Sequence, residues 1–186
     1  GTSYKRMDCY ERVVEGLRKV GIRYSGKNGL QQSLIRKAEQ QRLPLNAFLT
    51  GEGLIEASGD SIFSKAFHNH DHPKVTAERG WSEIEPLLET GLLVNFSTGH
   101  RGHTGIIARH GDQWTFINSG FMDNDIYSSV KQRRVGEEKL KEEISNWLNL
   151  AQKQDKPLNI NLGRIDGNKI MTYRRRPIPA KLSTRS

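Results

Sequence analysis

The chain predicts an α+β fold, N-terminal helices packed on a small antiparallel sheet of about five strands. Three observations point there. Apolar residues recur at helical spacing ahead of Pro44, short β-rich runs separated by Gly, His and Asp follow from Leu92, and 186 residues with a 34% apolar share suit one domain. Asp8 reads as an N-cap with Glu11 as its capping-box partner, and Val13, Leu17 and Val20 follow, so the first helix spans 9–20 and Gly21 closes it. Leu30, Leu34, Ile35 and Ala38 predict a second helix over 29–41 that stops before Pro44. The stretch 46–79, with Gly51, Gly53, Gly59 and the polar cluster His68 to Pro73, reads as short helical turns and loop. Strands are expected at 92–96, 104–109 and 114–118, forming a meander. Leu140, Ile144, Trp147 and Leu148 mark a helix over 137–152, and Pro157 ends its connection. Strands at 158–165 and 169–173 flank Asp166-Gly167, a dipeptide that favours hairpin turns. Residues 1–173 are thus expected to form one domain, and 174–186 a basic, flexible tail.

Charge and cysteine content narrow the function. Lys and Arg number 29 against 21 Asp and Glu, a net +8, but Arg174, Arg175, Arg176, Lys181 and Arg185 place +5 of it in the tail. The body carries only +3, so a specific nucleic-acid partner is not expected, whereas an anionic polymer such as a bacterial cell wall suits the charge. No apolar run approaches the roughly 18–20 residues of a membrane-spanning helix. The single cysteine, Cys9, excludes an internal disulfide and any multi-cysteine metal cluster. The start Gly1-Thr2-Ser3, without methionine or apolar leader, reads as a processed N-terminus.

Cys9 occupies the first helical position behind Asp8. There, unpaired backbone amides and the positive end of the helix dipole favour a thiolate, the form of an activated nucleophile. The competing reading is a small buried residue on the apolar stripe, four before Val13. Downstream, Gly102 to Ile107 opens a strand, a turn follows near His110 to Gln113, and Trp114 to Ser119 returns. If Arg109 pairs with Trp114, partner numbers sum to 223, Gly105 lies opposite Asn118, and His103 becomes its diagonal neighbour on the same face. A one-residue slip would put His103 and Asn118 on opposite faces.

Asp8-Cys9-Tyr10-Glu11 at a helix start, an apolar strand at Leu93 to Phe96, His103-Thr104-Gly105-Ile106 on the next, and Phe116-Ile117-Asn118-Ser119 on the one after occur in that order. This order resembles the NlpC-type branch of the papain-like cysteine peptidases and their related amidases, whose members carry Asp-Cys-Ser-Gly, then His-Val-Gly-Ile, then a polar His, Asn or Gln. The resemblance covers roughly residues 4–120. It implies a papain-like fold with Cys9 as nucleophile, His103 as general base and Asn118 holding the imidazole's orientation. It also implies the Cys9 backbone amide as oxyanion donor, with Tyr4 as a candidate side-chain contributor. Tyr10-Glu11 replaces the family's Ser-Gly, so the subsite that binds a stem-peptide amine through that serine does not carry over. The span from His103 to Asn118 is longer than the family's, and 46–79 resembles an insertion.

Other constellations carry less. His68, His70 and His72 would share a face on a strand and could hold zinc, but a polar loop before Pro73 explains them, and neither a metal nor a cofactor is expected. His100 and His110 flank His103 from a connection and a turn. Gly99, Gly102 and Gly105 lack the following helix a dinucleotide fingerprint needs. Trp81, Trp114 and Trp147 suit the core and its edges, with Trp114 placed to line a substrate groove. The expected function is a cysteine hydrolase cleaving an amide bond in a peptidoglycan stem peptide or cross-bridge. The alternatives are a thiol deamidase or transglutaminase-like effector toxin acting on a protein, which would imply an inhibitor or immunity protein, and a noncatalytic basic binding module. A cell-wall target implies that the chain is secreted, periplasmic or delivered into another cell.

Overall fold

The structure, a computed structural model, describes residues 8–43, 50–68, 72–99 and 101–174. The chain folds as α+β around one six-stranded antiparallel sheet. In order it forms α1 (Cys9–Lys19), α2 (Leu30–Gln41), α3 (Gly51–Ser58), β1 (Gly59–Phe67), α4 (Pro73–Ile84), a 3-10 turn (Glu85–Leu87), β2 (Leu93–Ser97), β3 (Gly102–His110), β4 (Gln113–Met122), β5 (Gln132–Lys139), α5 (Leu140–Lys153), β6 (Leu158–Ile165) and α6 (Gly167–Met171). The strand order across the sheet is β1-β6-β2-β3-β4-β5, every neighbouring pair antiparallel.

Both faces of the sheet are covered. Val94, Phe96, Ile107, Phe116, Ile160 and Leu162 meet Ala77 and Ile84 of α4 and Leu140, Ile144, Leu148 and Ala151 of α5. On the other face, Leu93 packs with Val13, Val14 and Leu17 of α1, Leu30 of α2, and Leu54 and Ile55 of α3. A central strand is therefore covered on both sides, and β2 is buried from Leu93 to Phe96, the polar Asn95 included. The helix α3 lies so close to β6 that a Cβ at Gly163 would run into Ile55.

The predicted helices over 9–20 and 29–41 match α1 and α2, the one over 137–152 matches α5 from Leu140 onward, and α1 opens on a complete Asp8–Glu11 capping box. Four expectations need correction. The region read as turns and loop contains α3, α4 and the nine-residue β1. As an edge strand bulged between Ser61 and Phe63, β1 fully buries only Gly59 and Phe67, so it lacks the alternation that marks a half-buried strand. The strand β5 was not expected: Arg133-Arg134 reads as solvated charge, and Glu137 to Lys139 fall inside the helix predicted over 137–152 but form the end of the strand. It forms because it pairs with β4 from Thr115 to Met122, while the chain after β4 folds back along its other edge through Ile126 N–H to Glu137 O at 3.0 Å. The sheet thus has six strands. Finally, 169–173 is not a strand: Asp166 accepts from the Asn168 and Lys169 backbone amides at 2.8 and 3.3 Å and caps α6 where a hairpin was expected. Arg174 bridges Ile22, so the last described residue is tied to the domain, and the rest of the basic tail lies outside the described residues. Among the described residues no helix is long and apolar enough to cross a membrane.

Candidate active site

The pairing of β3 with β4 sets the site. Arg109 lies opposite Trp114 and Ile106 opposite Ile117, the register in which His103 and Asn118 are diagonal neighbours on one face. Their side chains meet, His103 Nε2 lying 2.9 Å from Asn118 Oδ1. A Cβ at Gly120 would lie 3.1 Å from His103 Cε1, so the glycine leaves the ring room to cross β4.

His103 is enclosed by aromatic rings. Trp147 of α5 stacks on it with centroids 6.0 Å apart and planes 15° apart, and Phe116 meets it edge-on at 5.7 Å. Trp147 stacks in turn on Phe96 at 5.9 Å, which fixes the indole against the core. Burial lowers the pKa of the imidazole below its ordinary value, opposed by the hydrogen bond to Asn118. The ring is therefore neutral at pH 7. Trp147 is a site residue that sequence reasoning assigned to the core, since its helical spacing with Ile144 and Leu148 is that of a packing stripe. Trp114 lies away from this site, at a second groove with Trp81, and is covered by the Arg109 guanidinium at 5.1 Å.

Cys9 and His103 line one cleft of about 640 Å³, together with Asp8, Arg101, Phe121, Arg133, Asn146 and Trp147. Helix α1 packs on the face of Leu93, whereas His103 faces α5, so the two side chains reach the cleft from opposite sides at the open start of β3. The backbone amides of Thr104, Tyr10 and Cys9 itself act on the Cys9 sulfur and lower the pKa of the thiol. Burial outweighs them and the Asp8 carboxylate adds to it, so the thiol is pushed up rather than down. The thiolate expected from the helix-start position is thus not the resting form, and the Cys9 thiol and the His103 imidazole are both neutral at rest. Tyr10, the residue after Cys9, lies outside the cleft lining: its hydroxyl bonds that of Tyr24 at 2.6 Å beside the α1 core.

A third layer lies behind Asn118. Asn118 Nδ2 donates to Glu138 Oε2 at 2.9 Å, and Glu138 Oε1 accepts from the backbone amides of Asp123 and Asn124 at 2.9 and 3.1 Å. Glu143 of α5 accepts at Oε1 from Asn124 Nδ2 and Asn146 Nδ2 at 2.9 and 3.0 Å. Burial and the Glu138 charge push Glu143 up to about 8, so it holds a proton at neutral pH. One oxygen each from Asp123, Glu138 and Glu143 lies within 4.8 Å of the others, but these amide donors already engage the two buried glutamates, and we read the group as a hydrogen-bonded acid network. No sequence motif marked Glu138 or Glu143, which sit in runs of charge.

The remaining candidates do not converge on the cleft. His72 caps α4, its Nδ1 accepting from the Lys74 amide at 3.4 Å, and His110 packs edge-on against Tyr127 at 5.5 Å. Tyr4, His70 and His100 lie outside the described residues. Compared with protein-family models, curated proteins and solved structures, the chain matches none.

Proposed function

We propose that the chain is a papain-like, NlpC-type cysteine hydrolase in which Cys9 attacks an amide carbonyl, His103 moves the proton and Asn118 orients the imidazole. The observation that carries this reading is the His103–Asn118 hydrogen bond, held by stacked aromatics, opening into the cleft that Cys9 also lines. Because thiol and imidazole are both neutral at rest, His103 takes the proton as sulfur attacks the carbonyl carbon. The backbone amides at positions 9 and 10 act on the sulfur at the start of α1, which suits them to receive the negative oxygen of the tetrahedral intermediate. His103 then returns the proton to the departing amine, leaving a thioester that water hydrolyses.

The substrate we propose is an amide of a peptidoglycan stem peptide or cross-bridge, which would place the chain outside the producing cytoplasm or inside a target cell. A protein glutamine would meet the same machinery in a deamidase or transglutaminase-like toxin, whose partner would be an inhibitor or immunity protein. The test is incubation of the protein with purified peptidoglycan and its soluble muropeptides, with products resolved by mass spectrometry. New amine termini that vanish in Cys9→Ala are the expected result. Loss of ammonia from a protein glutamine would favour the toxin. A Cys9 that alkylates only on unfolding would leave a noncatalytic binding module.

A further inference from the structure

We propose that Glu138 is a positioning residue that locks the Asn118 carboxamide in one orientation and through it dictates which ring nitrogen of His103 carries the proton. As a carboxylate it can only accept hydrogen bonds, so Asn118 must turn its Nδ2 donor toward Glu138 and its Oδ1 toward His103. An oxygen facing Nε2 in turn requires Nε2–H, because a carbonyl cannot donate. The proton of the neutral imidazole is then on the Asn118 side, and Nδ1 keeps its lone pair to accept another. The assignment of the amide therefore follows from the acceptor behind it.

The surroundings hold Glu138 as the acceptor. Two backbone amides of the β4–β5 connection converge on Oε1, and backbone donors cannot turn away as a side chain could. The charged and titratable groups facing it are Asp123 from that connection and Glu143 from α5; Arg134 of its own strand is engaged with Asp125 at 2.8 Å. Burial raises the pKa of both glutamates, but at Glu138 the hydrogen bonds from Asn118 and from the Asn124 and Asp123 amides pull it back down, and these three donors leave both of its oxygens as acceptors. Its place on the sheet is equally constrained. Glu138 pairs with Phe116 and Gly136 with Asn118, which makes Glu138 the diagonal neighbour of Asn118, as Asn118 is of His103. The chain His103–Asn118–Glu138 crosses three adjacent strands on one face. Its catalytic meaning rests on the hydrolase reading, but the orientation of the amide does not.

The substitution Glu138→Gln is nearly isosteric and reverses the logic. The two backbone amides still need an acceptor, so the new amide turns its oxygen to them and its NH₂ to Asn118. Asn118 then flips, presents Nδ2 to His103 Nε2 and drives the ring proton to Nδ1, where it can no longer accept one from the thiol. The test is the nitrogen chemical shifts of His103 at neutral pH in wild type and Glu138→Gln, measured beside the alkylation rate of Cys9 in both proteins and in His103→Ala. The expected result is an Nε2–H ring in wild type, an Nδ1–H ring in Glu138→Gln, and alkylation of that variant reduced to the rate of His103→Ala. An Nδ1–H ring in wild type overturns the proposal without any variant, as does a folded Glu138→Gln protein whose ring stays Nε2–H. If the tautomer switches but wild-type alkylation is indifferent to His103→Ala, the hydrolase reading fails and the role of Glu138 in orienting the amide stands. If alkylation depends on His103 while the tautomer does not respond to Glu138, the reverse holds.

Discussion

His103 combines two properties that usually conflict: it is enclosed by Trp147 and Phe116, yet opens onto a cleft. Enclosure lowers its pKa, so the imidazole stays neutral, and competent as a base, to a lower pH than a free histidine at ~6.5. Under the proposed hydrolase reading, the acid limb of the activity profile is therefore expected below that value. Replacing Trp147 by Ala removes the stacked indole and lets water reach the ring, so the desolvation that depresses its pKa weakens. We expect the acid limb, and the His103 titration followed by NMR, to move up together toward the ordinary value. Unfolding free energy should fall by roughly 3 kcal/mol, since the indole also packs on Phe96. A lost indole that costs stability but leaves the titration in place would mean that Phe116 and the sheet alone desolvate the ring. Asn118→Ala is a different kind of change. It removes the only described partner of Nε2, and turnover should drop at every pH rather than shift along the pH axis, because the tautomer is no longer held.

The start of α1 sets a cap against a thiol. Asp8 accepts from the Glu11 amide at 2.7 Å and so stabilises the helix, while its charge raises the pKa of the neighbouring thiol. The two effects separate by substitution. Asp8→Asn keeps a capping oxygen and removes the charge, so the pH midpoint of Cys9 alkylation should fall with little change in stability. Asp8→Ala should lower the midpoint and also cost about 1 kcal/mol in denaturant unfolding. The Asp8 cap was legible in the sequence because its reciprocal partner stands at the required offset, and the β3–β4 register because a tight turn at Gly111 fixes which residues face each other. What stayed hidden follows one physical pattern. β1 and β5 carry polar residues whose partners come from other strands: Ser64 bonds Asn161 of β6, and Glu138 serves Asn118 of β4. A run of charges looks solvated until the fold supplies donors and acceptors from other strands. Trp147 shows the converse, since an apolar helical stripe looks the same whether it covers a leucine or an imidazole.

The acid network also links the domain's stability to pH. Glu143 touches α5, through its own backbone, and the β4–β5 connection, through Asn124, and Glu138 ties that connection to β4, so the two carboxyls sit where sheet, helix and connecting chain join. Glu143 is pushed up to about 8 in the folded chain, against ~4.3 for an unfolded glutamate. Between those values the folded state binds the proton and the unfolded state does not, so stability falls as pH rises through that window and levels off once the folded group has also ionised. His103 works in the opposite sense. Its lowered pKa means that the unfolded chain takes up the extra proton, so its contribution is complete above the ordinary histidine value and is lost on acidification. Within the His103 window the two slopes oppose one another, so the fall in stability with pH flattens there and resumes above the ordinary histidine value, where Glu143 alone is titrating. Glu143→Gln isolates the first of them, because the neutral amide keeps an oxygen for Asn124 and Asn146 and cannot ionise. Its melting temperature should match that of wild type near pH 5, where Glu143 is protonated anyway, and exceed it by several degrees near pH 9, where wild type must bury a second charge beside Glu138. Thermal unfolding of both proteins across that range, at constant ionic strength, reads the difference directly. Parallel curves at all pH values would mean that Glu143 ionises as readily in the folded chain as in the unfolded one, and that Glu138 keeps its charge without a protonated neighbour.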